Sequence, residues 1–119
     1  MTARVIRRGE VYWIEPDPAD DVARLRHPHV VVQDDVLNAS RIATVVVCAQ
    51  TTNLRRASEP GNVRLEPGEG GLPRPSVVVV SQIASVPKTR LGARIGALDA
   101  ARVEQILDGL GLQQRSFLR

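Results

Sequence analysis

Three runs of β-branched residues constrain this chain more than any other feature: HVVVQ at 29–33, IATVVVCA at 42–49 and SVVVVS at 76–81. A branched Cβ suits a pleated, packed surface and is crowded in a helix. Each run is short, and the stretches between them are rich in Gly, Pro, Asp and Asn, which form turns. Weaker strand patterns flank them at 5–14, 62–65 and 94–97, and 83–86 is expected to continue the sheet after a bend at Ser81 and Gln82.

Strands in succession without alternating helices predict an antiparallel sheet rather than a doubly wound one. Near the end the pattern changes. Val103, Ile106, Leu107 and Leu110 recur at helical spacing behind Asp99, a suitable N-cap, while Gly109 and Gly111 weaken the far end. The predicted fold is mainly β with a C-terminal helix, a small antiparallel barrel or sandwich in a single domain spanning 1–119.

Composition excludes several functions. Only 3% of residues are aromatic, too few for a base-stacking platform. Cys48 is the only cysteine and lies in an apolar run, so it reads as a buried structural thiol rather than a nucleophile or metal ligand. GEGG at 68–71 lacks the Lys and helix of a phosphate loop. No apolar run reaches membrane-spanning length and residues 1–9 carry no apolar signal segment, so the expected setting is the cytoplasm, with no membrane partner. The net charge of +3 is modest, but every cationic side chain except Lys88 is Arg, whose planar fork suits phosphate.

Three longer strings, in order, carry a resemblance: RRGEVYWIEPDP at 7–18, HPHVVVQDDVLNASRIATVVVCAQTTN at 27–53 and GLPRPSVVVVSQIASVPKTRLGARIGALD at 71–99. Together they resemble the MazF/PemK toxin endoribonucleases over nearly the whole chain. The resemblance implies an SH3-like barrel, shared with CcdB-type toxins, that pairs into a homodimer. It also implies cleavage of single-stranded mRNA without a metal or other cofactor, by attack of the ribose 2′-OH on the adjacent phosphate, leaving a 2′,3′-cyclic phosphate and a 5′-OH. The implied partner is an acidic MazE-like antitoxin. A binding toxin of the gyrase-poisoning type, or a nuclease-derived binding module, is the alternative on the same fold.

Such chemistry needs proton carriers for the two oxygens and donors for the phosphoryl charge. The family's Thr after the third strand corresponds to Thr51, followed by Thr52 and Asn53. The family's Arg directly before the second-strand Pro does not carry over, because His27 precedes Pro28 and Arg26 lies one place earlier. Either a shifted loop brings Arg26 to the phosphate, or His27 takes the position and moves protons, a task imidazole does better than guanidinium. The expected catalytic set is Arg26, His27 and Thr51, with Thr52, Asn53, Arg55, Arg56 and Gln82 on the RNA. Here His27 is read as a loop residue, His29 as belonging to a strand edge, and Asp34 and Asp35 as caps of a short helical turn.

Overall fold

A computed structural model describes residues 4–15 and 27–115. The strands are β1 (Glu10–Ile14), β2 (His27–Val31), β3 (Thr44–Thr51), β4 (Val63–Leu65), β5 (Ser76–Pro87) and β6 (Leu91–Ala97). Two helices, α1 (Asp35–Asn38) and α2 (Ala100–Arg115), and 3₁₀ turns at Leu54–Ser58, Glu69–Gly71 and Lys88–Arg90 complete the order. All pairings are antiparallel, in the order β4-β5-β3-β2-β1-β6.

The mainly β fold with a C-terminal helix is the one expected from the sequence, and its six-stranded sheet is not closed. β4 and β6 form its two edges, and the Glu69–Gly71 turn packs against β6.

The Val-rich strands bury both sheet faces. Val11, Val30, Cys48, Val78, Leu98 and Ile106 pack together under α2. Tyr12, Ile14, Val31, Val45, Val47 and Leu91 fill the opposite face. Asp99 caps α2 through a hydrogen bond accepted from the Arg102 N–H (2.9 Å), and the helix continues through Gly109 and Gly111. Asp34 caps α1 by accepting from Val36 N–H (2.8 Å), and Asp35 accepts from Arg8 N–H (2.7 Å) and the Asn38 amide (3.1 Å), so both carboxylates serve the backbone framework.

Three boundaries differ from the sequence reading. β1 starts at Glu10 because Arg8 and Gly9 form a turn. β2 begins at His27 rather than 29, which makes His27 a strand residue and corrects its placement in a loop. The bend expected at Ser81 and Gln82 lies inside one twelve-residue strand, β5. There Cys48 pairs with Ile83 while Gln50 pairs with Val78, so extra residues bulge out of β5. A bulge bends and re-aims its strand, and here it carries β5 from the buried stretch 76–80 to the exposed stretch 81–85.

Candidate active site

The site grows from the register of β1, β2 and β3. Successive side chains on a strand alternate between faces, so His27 and His29 share one. Ile14 pairs with His27, Tyr12 with His29, and His29 with Ala49. The same antiparallel register, continued two residues, sets Thr51 across from His27. On this face the apolar cluster covers only part of the sheet, and beyond it opens a cleft of about 610 Å³. His27, His29, Thr51, Arg56, Gln82 and Arg90 supply its polar walls. The β5 bulge delivers Gln82, and the turn between β5 and β6 delivers Arg90.

His27 is exposed and His29 half-buried. The His29 Nδ1 lies 2.9 Å from the His27 backbone carbonyl oxygen. A carbonyl only accepts, so Nδ1 carries the hydrogen and Nε2 of the neutral ring keeps a free lone pair. Burial pushes the His29 pKa below its ordinary value, partly opposed by the hydrogen bond to the His27 carbonyl, and the charges of His27 and Arg90 lower it further. His29 is therefore a wall of the cleft rather than a strand-edge residue, which corrects its sequence reading.

Arg90 is held firmly. Its Nη2 donates to the Glu15 carbonyl (2.7 Å), and Glu15 N–H donates back to the Arg90 carbonyl (3.3 Å). The Arg90 Nε is buried with no hydrogen-bond partner among the described residues. Arg56 also reaches the cleft, with its Nε on the Glu59 carboxylate (3.1 and 3.3 Å). Glu15 lines the cleft beside these cations.

The expected set is partly brought together. His27, Thr51, Arg56 and Gln82 meet in the cleft. Thr52, Asn53 and Arg55 do not line it. Asn53 instead caps the Leu54–Ser58 turn, accepting from Arg55 N–H (3.3 Å), and Thr51 Oγ1 accepts from Asn53 N–H (3.1 Å). Arg26 lies outside the described residues. Sequence reading missed His29 as a cleft residue, although its two-residue spacing from His27 was the signal. It also missed Arg90, for which the only signal was a basic turn after a strand.

Among the described residues no group of three or more His, Cys, Asp or Glu side chains gathers as a metal site. No helix among them is long and apolar enough to cross a membrane. Cys48 is buried, and burial pushes its thiol pKa up to about 12, the reverse of what a nucleophilic thiolate needs.

The family model of the PemK-like, MazF-like toxin of type II toxin–antitoxin systems matches residues 7–113. Endoribonuclease MazF6 of Mycobacterium tuberculosis (strain H37Rv) is 40% identical over 107 residues, covering 89% of this chain and 94% of that protein. Endoribonuclease EndoA of Bacillus subtilis is 29% identical over 108 residues, covering 89% and 91%. Among solved structures, an endoribonuclease in complex with its cognate antitoxin from a mycobacterial species superposes with a TM-score of 0.74 at 25% identity, covering 92% of this chain and 94% of that one.

Proposed function

Because this chain belongs to the PemK-like, MazF-like toxins of type II toxin–antitoxin systems, we propose that it is an endoribonuclease that cleaves single-stranded mRNA at the cleft between β2, β3 and β5. The reaction is metal-independent attack of the ribose 2′-OH on the adjacent phosphorus. It yields a 2′,3′-cyclic phosphate and a 5′-OH end.

The observation that carries this reading is the meeting of His27 and Thr51 with two guanidinium groups in one open cleft. Arg90 presents a fixed cation at the cleft wall, suited to a phosphoryl oxygen that gains charge in the transition state. Arg56 is partly neutralised by Glu59 and suits a neighbouring phosphate. His27, exposed at the cleft mouth, exchanges protons with the reacting oxygens. Thr51 offers a hydroxyl across the strand pair from it. Selectivity for RNA sequence falls to the cleft rim, where Gln82 can both donate to and accept from a base edge.

The proposed partners are single-stranded RNA, a second copy of the chain and an acidic antitoxin, acting in the cytoplasm. The mycobacterial structure solved with its cognate antitoxin supports the last partner. A disordered acidic segment folding over a cleft walled by Arg56 and Arg90 would block the substrate phosphates.

The test is cleavage of single-stranded RNA by the wild type and by His27→Ala, Thr51→Ala and Arg90→Ala. Each variant is expected to lose about 100-fold or more in kcat/KM while melting within a few degrees of the wild type. Full activity in all three would remove the reaction from this cleft.

A further inference from the structure

In-line displacement at phosphorus places the attacking 2′-oxygen and the leaving 5′-oxygen at opposite apices, so one imidazole cannot serve both in the same step. This geometry leaves the His27 reading one proton carrier short. The second imidazole stands two residues along the same strand face. An extended strand advances about 3.3 Å per residue, so the two Cα atoms are about 7 Å apart, wide enough for two rings to bracket one phosphate. We propose that His29 is the general base of the cleavage reaction and that His27 is its general acid; this rests on the endoribonuclease reading above.

The case for His29 as the base is geometric. Its Nδ1–H is committed to the His27 carbonyl at 2.9 Å, which fixes the tautomer and leaves Nε2 as an acceptor. The ring lines the cleft beside Ala49 and Thr51, the β3 positions of the same face. Burial favours the neutral ring. The charged and titratable groups around it are Tyr12 from β1, whose hydroxyl is turned to Glu10 (2.9 Å), Glu15 beyond β1, His27 on its own strand, and Arg90 and Arg56. The charge of Arg90 also disfavours a proton on His29, while the hydrogen bond to the His27 carbonyl works against both burial and that charge.

The step balances without a co-reactant. His29 Nε2 takes the proton of the 2′-OH as the 2′-oxygen forms its bond to phosphorus. The bond from phosphorus to the 5′-oxygen breaks, and that oxygen takes the proton of the His27 imidazolium. His29 then loses its proton to water and His27 regains one.

The experiment pairs His29→Asn and His27→Asn with two substrates. One is ordinary single-stranded RNA. The other carries sulfur in place of the scissile 5′-oxygen, a leaving group that needs no proton. Asn at 29 keeps a donor for the His27 carbonyl but supplies no base. His29→Asn is expected to lower kcat by about 100-fold or more on both substrates. His27→Asn is expected to be slow on RNA and restored on the sulfur substrate. An NMR titration of the folded wild type supplies a check free of mutation: the His29 pKa should coincide with the acidic limb of kcat/KM. His29→Asn within about threefold of wild type on RNA, its rescue by sulfur, or an acidic limb that does not follow the His29 titration would each overturn the assignment. Wild-type protein that leaves both substrates intact would instead overturn the endoribonuclease reading beneath it.

Discussion

At the residue scale, burial decides which ionisable side chains can act. Cys48 and Tyr12 are inside the sheet, with thiol and phenol pKa values each raised to about 12. For both the first cause is desolvation, and for Tyr12 the hydrogen bond to Glu10 adds to it. Above the ordinary thiol pKa the unfolded chain has released the Cys48 proton while the folded state still holds it. The folded state then binds more protons, so stability falls as pH rises, by about 1.4 kcal/mol per pH unit for each such group. Tyr12 joins one unit higher. Urea unfolding at pH 8, 9 and 10 should therefore give steadily lower stability, and Cys48→Ala should flatten the fall between pH 9 and 10. An alkaline limb unchanged in that variant would remove the thiol as its cause. His29 differs in kind, because its burial is partial and opens onto the cleft.

At the element scale, α2 separates two glycines that look alike in sequence. Gly109 lies against the backbone of Gly61, and a Cβ there would collide with the Gly61 carbonyl oxygen. Around Gly111 a Cβ would meet nothing. Gly111→Ala should thus stabilise the protein by up to about 1 kcal/mol, the ordinary helical gain, while Gly109→Ala should destabilise it by more than that gain; urea unfolding measures both. Equal effects would contradict the packing of α2 on the turn before β4. The pair also shows what was legible in the sequence. Local chemistry was readable: Val runs became β3 and β5, Asp99 became a helix cap, Cys48 a core thiol. Contacts distant in the chain were not. The clash of Gly109 with Gly61, the open sheet between β4 and β6, and the start of β2 at His27 all depend on partners that no local pattern names. The site follows the same rule. His27 and Thr51 came from motif position, whereas Arg90 enters through the Glu15 carbonyl, 75 residues away, and Asn53 is taken by a turn.

At the scale of the whole molecule, the net charge of +3 is modest, and the cleft is where two arginines meet. Arg56 and Arg90 face the cleft together, so binding of RNA should weaken with salt through counterion release. On a substrate made uncleavable by removal of the scissile 2′-OH, Arg90→Ala should reduce the slope of log K against log salt by about 0.7, the share of one single-strand phosphate. An unchanged slope would place Arg90 off the RNA backbone. The most direct measurement of the central claim is the chemistry of the ends. Long single-stranded RNA is incubated with the wild type in excess chelator and the products are mapped. The expected result is discrete cleavage leaving 2′,3′-cyclic phosphate and 5′-OH ends at an undiminished rate. Intact RNA, or ends bearing 3′-OH and 5′-phosphate, would contradict it.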